Sequence, residues 1–168
     1  MNKTPAIVLF CVLLSMAGCS SGPTLITRPD PVPAGLDLTG NWVQTRAAGI
    51  SQPEARDTAV NVFLKTGKAL KLTQTETGLF VSFDRSVVEE YRFGENRIIS
   101  IGEIDAERAS GWASNGYIIE TLDDRNALLI DTYRLLNEGE NLRRTVELRY
   151  RNKLLLDLEF EYDRAWQQ

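Results

Sequence analysis

The chain has 168 residues, 43% of them hydrophobic, with 19 basic residues against 23 acidic and a formal net charge of −4. The charges are interspersed and form no basic stripe, which argues against nucleic acid as a partner. There is no histidine, so the commonest general base and the commonest transition-metal ligand are both missing, and neither a metal site nor a cofactor is expected.

The first eighteen residues read as a removable segment. Lys3 supplies a positive start, and Ala6 to Met16 is a nearly unbroken apolar run. That run has the length of a secretory signal core and falls well short of the ~20 residues a membrane-spanning helix needs. Ala17 and Gly18 are small, and Cys19 follows them. The stretch Leu14-Ser15-Met16-Ala17-Gly18-Cys19 resembles the lipobox of bacterial lipoproteins. The resemblance implies a signal peptide over 1–18, cleavage between Gly18 and Cys19, and lipidation of Cys19 with S-diacylglycerol and an N-palmitoyl chain. Ser20, where an Asp would favour the inner membrane, implies the outer-membrane class, with the domain tethered to the membrane and facing the periplasm. Each buried methylene contributes about 0.8 kcal/mol, so several chains on one residue hold firmly where one alone would not. The alternatives are an ordinary signal beside a coincidental cysteine, or an uncleaved anchor.

The remaining 150 residues suit one domain. Without Lys3 they carry 18 basic against 23 acidic residues, a net charge of −5, so an anionic membrane surface exerts no attraction and the lipid alone must anchor the chain. Cys11 leaves with the signal and Cys19 is consumed by lipid, so no disulfide is available and the fold must rest on its core.

Residues 19–35 form the lipidated cysteine and a linker. Pro23, Pro29, Pro31 and Pro33 disfavour helix and promote extended chain. At ~3.1 Å per residue the linker spans up to about 50 Å as a spacer; the alternative is that Leu25 and Ile26 dock on the domain. The domain, 36–166, opens with an alternating strand, Leu36 to Val43. Ser51 to Thr66 then reads as a helix: Ser51 or Gln52 caps it, Pro53 sits in the first turn, and Ala55, Ala59, Val62 and Phe63 form one apolar stripe. Its expected place is across the side or one end of a barrel.

From Ala69 the chain reads as strands and short turns. The strands run Leu70 to Thr75, Leu79 to Phe83, Val87 to Phe93 and Arg97 to Asp105, then a short one around Ser110 to Ala113. Asn115-Gly116 is a strong turn signal, and Tyr117 to Leu122, Ala127 to Leu136, Leu142 to Arg151 and Leu154 to Asp163 follow. In the last pair, Leu142, Val146, Leu148 and Tyr150 match Leu154, Leu156, Leu158, Phe160 and Tyr162, while Arg143, Glu147, Arg149 and Arg151 stand against Asp157, Glu159, Glu161 and Asp163. Pairing like faces requires partner numbers that sum to an even value, hence a loop of three residues (Arg151-Asn152-Lys153) or five. The expectation is an all-β, mainly antiparallel, up-and-down meander of about eight or nine strands, closed or nearly closed into a barrel, with one α-helix after the first strand. An open, strongly curved sheet wrapped on the helix is the alternative.

Gly40-Asn41-Trp42 at the mouth of a first strand, followed by such a meander, resembles the lipocalin and calycin barrels. The resemblance implies that an arginine near the end of the barrel, here Arg164, packs over Trp42. It also implies an apolar or amphipathic ligand such as a lipid, with Phe80, Phe83, Tyr91, Phe93, Trp112 and Tyr117 as candidate lining residues; plain core is the competing reading of these aromatics. A structural or assembly lipoprotein, working through an envelope protein partner, is the second functional class. An enzyme is the third and the least supported: the mature chain has no histidine, no free cysteine, no Gly-x-Ser-x-Gly and no phosphate-binding loop, and the carboxylate pairs Asp123-Asp124 and Glu89-Glu90 read as solvated surface.

Overall fold

The computed structural model describes residues 22–28, 31–113 and 116–165. Cys19, Gly18 and Asn115 lie outside them. Among the described residues ten strands, rather than eight or nine, make one antiparallel sheet. They are β1 (Gly40–Ser51), β2 (Ala69–Gln74), β3 (Gly78–Phe83), β4 (Val87–Arg92), β5 (Asn96–Ile101), β6 (Ile104–Ala113), β7 (Gly116–Asp123), β8 (Ala127–Leu136), β9 (Asn141–Tyr150) and β10 (Lys153–Arg164). Each strand pairs with its neighbours in sequence, and β1 pairs with β10, so the spatial order is β4-β3-β2-β1-β10-β9-β8-β7-β6-β5. The meander therefore curls on itself and closes through the two ends of the domain. The remaining edges, β4 and β5, are adjacent in sequence but do not pair.

The extra strand arises from the stretch read as Arg97 to Asp105. Gly102 adopts φ +61, a left-handed conformation open to glycine at little cost, and it turns the chain between β5 and β6. The first strand also starts later than its alternation suggested, at Gly40, and runs to Ser51 with an irregularity between Gln44 and Arg46.

The expected α-helix is two short 3-10 turns, Pro53–Asp57 and Ala59–Phe63. Thr58 between them is extended, and its hydroxyl donates to the Ala55 carbonyl, in competition with a helical bond. The backbone N–H of Val60 donates to Asp123 Oδ2 at 3.1 Å instead of to a carbonyl four residues back. Tertiary acceptors thus outbid the helix. The turns bury Ala55, Val60 and Phe63, with Ala59 and Val62 only half-buried, so the stripe that faces the barrel differs from the one a 3.6-residue period implies.

The β9–β10 hairpin shows how like faces meet. Its loop is a two-residue turn, Arg151-Asn152, with φ +48 and +63. That turn alone would set Arg149 opposite Leu154, but the register shifts between Leu154 and Leu156. Beyond the shift Leu148 faces Leu156, Val146 faces Leu158, Arg144 faces Phe160 and Leu142 faces Tyr162. The even-sum pairing holds, and a bulge rather than an odd loop provides it.

Residues 22–28 do not stand away from the domain as a spacer. The Ile26 N–H donates to Glu120 Oε2 at 2.9 Å, and the Arg28 guanidinium pairs with Glu120 Oε1 at 2.7 Å. The Glu120 side chain projects from the outer face of β7, and the ion pair holds it almost wholly buried. A carboxylate so covered needs a partner, and the linker provides it.

Candidate functional site

Side chains fill the barrel interior. Trp42, Phe83, Tyr117, Tyr133, Arg144 and Tyr162 are its largest fully buried members. At its centre Arg144 of β9 faces Asp131 of β8, with Nε–Oδ1 at 2.8 Å and Nη2–Oδ2 at 2.7 Å. The same guanidinium lies 4.9 Å from the Phe83 ring, 5.3 Å from Tyr133 and 5.9 Å from Phe160. Its Nη2 also donates to the Lys65 carbonyl at 2.8 Å, which ties the chain after the 3-10 turns to the barrel wall. Burial opposes the charge on Arg144, but the Asp131 carboxylate more than offsets this and holds the guanidinium pKa above its ordinary value.

Among the expected lining residues, Phe93, Trp112 and Tyr117 form an edge-to-face trio with ring centroids 5.0 to 5.4 Å apart. The Tyr117 hydroxyl donates to Ser110 Oγ at 2.8 Å, and Ser110 in turn reaches Glu95 at 2.9 Å, itself paired with Arg97 at 2.6 Å. Phe83 packs on Arg144, and Tyr91 packs on Arg108 at 5.0 Å. Phe80 is a correction. It alternates with the buried Leu79 and Val81 and is 37% exposed on the outer face of β3, so it lines no interior.

Gly40, Trp42 and Arg164 come together at one end of the barrel. The Arg164 guanidinium lies 4.3 Å from the Trp42 ring and donates to the carbonyls of Thr39 (2.7 Å) and Gly139 (2.9 Å). The indole N–H donates to the Leu38 carbonyl at 3.2 Å. A Cβ at position 40 would sit 2.7 Å from Arg164 Nη1 and 3.1 Å from Trp42 Nε1, so the glycine is needed for the two larger groups to meet above it.

Burial also raises the pKa of the Tyr91, Tyr117, Tyr133 and Tyr162 hydroxyls. A folded-state pKa above the unfolded value of about 10 means stability that is complete below about pH 10 and lost as pH rises past it. The urea midpoint should therefore be level between about pH 7 and 9 and fall steeply above about pH 10. Tyrosinate absorbance from these four residues should appear together with unfolding; its appearance in a protein that keeps native near-ultraviolet dichroism would contradict this account.

Sequence reasoning missed Arg144, Asp131 and Arg108. Their signal was a charge placed in the apolar register: Leu142-x-Arg144-x-Val146, Leu129-x-Asp131-x-Tyr133 and Ala106-x-Arg108-x-Ser110.

Outside the packed interior, β4 and β5 border a groove of about 440 Å³ that reaches inward to Phe63 and Arg108. It is lined by Glu89 and Glu90 from β4 and by residues 97–101 of β5. Among the described residues no cluster of acidic or sulfur side chains suits a metal ion.

No protein-family profile matches the sequence, and a sequence search of curated proteins finds no match. Solved structures do match. A fatty acid transporter, REP1-NXSQ, superposes with a TM-score of 0.52 at 10% identity over 78% of this chain and 98% of its own. A secretory abundant heat soluble protein from Ramazzottius varieornatus has a TM-score of 0.51 at 15% identity, covering 76% of this chain and 94% of that one. The fatty acid-binding protein from brain tissue of Drosophila melanogaster has a TM-score of 0.50 at 10% identity, covering 76% and 99%. At such identities the likeness concerns the fold alone: this chain shares with these proteins an antiparallel meander curled into a barrel.

Proposed function

We propose that this chain is a lipid-anchored lipoprotein of the outer membrane whose barrel faces the periplasm and binds an apolar or amphipathic ligand without acting as an enzyme. The observation that supports the binding reading is the barrel fold itself, shared with proteins named as a fatty acid transporter and a fatty acid-binding protein; its unpaired β4–β5 seam is an open, mainly polar groove of about 440 Å³. The seam takes the role expected of the interior, because Trp42, Phe83, Tyr133, Arg144 and Tyr162 occupy the centre. The anchor rests on Cys19 and the segment before it. The docked segment 22–28 supports a short tether that keeps the domain beside the bilayer.

A second reading, a structural lipoprotein that pairs with a protein, draws on the same seam, since free strand edges accept an added strand. One experiment on each half tests the proposal. Cys19→Ser should leave the membrane fraction or accumulate as unprocessed precursor; a processed, membrane-bound Cys19→Ser protein sinks the anchor. The released protein should bind a lipophilic fluorescent dye that extracted envelope lipid displaces, and failure of every lipid fraction to displace it favours the protein-contact reading.

A further inference from the structure

Residues 22–28 lie against the outside of the barrel and fix the place at which the chain leaves it. The Ile26 N–H and the Arg28 guanidinium hold the Glu120 carboxylate at 2.9 and 2.7 Å. Closer to the N-terminus this strap touches the β7–β8 turn, where a Cβ added at Gly22 would sit 2.6 Å from Asn126 Oδ1. Cys19 is three residues before Gly22. At ~3.6 Å per residue, the most a chain can span, Cys19 lies within about 11 Å of that glycine. An acylated Cys19 therefore brings the β7–β8 turn close to the lipid head groups.

The surface beside this exit is basic. Gly22 and Pro23 border an open cavity of about 460 Å³ whose other walls include Arg149, Arg151, Asn126 and Asn152; among the described residues no carboxylate lines it. Arg151 stands in the β9–β10 turn, 4.9 Å from the Tyr150 ring, and enters no ion pair among the described residues. Arg149 pairs with Glu147 at 2.7 Å and Lys153 with Glu54 at 3.1 Å, both at the surface, where such pairs contribute little and are easily exchanged. Arg125 and Asp124 are exposed in the neighbouring turn. The mature domain as a whole has a net charge of −5, yet at this corner Arg125, Arg149, Arg151 and Lys153 outnumber Asp124, Glu147 and Glu54. A guanidinium fork matches the paired oxygens of a phosphate, and the two asparagine amides add uncharged donors.

We propose that the corner formed by the β7–β8 and β9–β10 turns rests on the anionic phospholipid surface, with Arg149 and Arg151 on lipid phosphates and the strap 22–28 setting the orientation. This rests on the lipid-anchor reading above and adds to it the face that meets the bilayer. The acyl chains supply the hold; the arginines choose the orientation, since a tethered surface meets the head groups at high effective concentration and needs only weak contacts to stay there. The β2–β3 turn, at the opposite end of the strands, then points away from the membrane.

The test uses the mature acylated protein in vesicles of phosphatidylcholine, with or without phosphatidylglycerol, that carry a nitroxide quencher on the head group. Cys11 leaves with the signal and Cys19 is blocked by lipid, so an introduced cysteine takes the fluorophore alone. A label on Lys153→Cys should be quenched in the anionic vesicles, and one on Glu76→Cys, in the β2–β3 turn, should not. Arg149→Gln combined with Arg151→Asn should shift the docked-to-undocked ratio about tenfold or more toward undocked, the worth of two basic side chains at an anionic surface. Asparagine is chosen at 151 because it tolerates the φ of +48 there. Raised salt should have the same effect. No quenching at 153, equal quenching at both positions, or quenching at 153 unmoved by the double substitution and by salt overturns the docked face, while co-sedimentation with the vesicles leaves the anchor standing. A mature protein that carries no acyl chain and stays out of the vesicle fraction overturns both.

Discussion

Asp131→Ala is expected to lower the unfolding free energy by about 3–5 kcal/mol, because it leaves the Arg144 guanidinium buried without its counter-charge. Arg144 is 1% exposed and Asp131 is 7% exposed, so neither can turn to water without opening the barrel. The carboxylate makes two hydrogen bonds to Arg144 at 2.7 and 2.8 Å and one to the Tyr133 hydroxyl at 3.2 Å. All three are lost together. The double replacement Asp131→Leu with Arg144→Met should recover most of the loss, since a desolvated ion pair is close to break-even against apolar side chains of similar volume. Urea unfolding of the two variants decides the matter. A single variant within about 1 kcal/mol of wild type would mean that the guanidinium finds another partner and that the interior is looser than its packing suggests.

Trp42→Ala is the second large effect, about 3–5 kcal/mol, from the loss of a 1%-exposed indole and the cavity it leaves. The residue couples the two ends of the domain, for β1 lies between β2 and β10, and Trp42 faces Leu70 on one side and Arg164 on the other. Arg164→Ala should cost less, about 2 kcal/mol, because the guanidinium is only half-buried and its contribution is a cation–π contact and two bonds to carbonyls. In the double variant the losses should fall short of additive by about 0.5–2 kcal/mol, the coupling expected across one contact. Strict additivity in thermal or urea unfolding would show that Arg164 serves the Thr39 and Gly139 carbonyls and not the ring.

The period-two alternation of β9 and β10 made their pairing legible before any coordinates, down to the parity of partner numbers. What the alternation could not reveal was how the parity is met. A two-residue turn followed by a bulge and an odd loop place the same faces together, and the choice between them depends on how the sheet twists around the core. Phe80 shows the opposite case. The alternation of Leu79, Val81 and Phe83 assigns it to the outer face, and its aromatic character alone points to the interior.

The segment 51–66 was the least legible. Pro53, Ala55, Ala59, Val62 and Phe63 satisfy the spacing of an amphipathic helix, yet the chain forms two 3-10 turns. The deciding acceptor, Asp123, lies sixty-three residues away, and no local pattern contains it. The same holds for the linker. Its prolines specified extended chain and left open both a spacer and docking of Leu25 and Ile26 on the domain, and Glu120 on β7 settled the choice for 22–28.

By itself, the sequence determined the all-β meander and a domain without disulfides. It also supplied the lipobox resemblance and the approach of Trp42 to Arg164 as expectations. These follow from residue type and short-range spacing. Only the tertiary structure decided which edges stay unpaired, what fills the barrel and what each buried arginine packs against. Those outcomes depend on long-range contacts, β1 with β10, Arg144 with Asp131 and Arg108 with the Tyr91 ring, which no short-range pattern encodes.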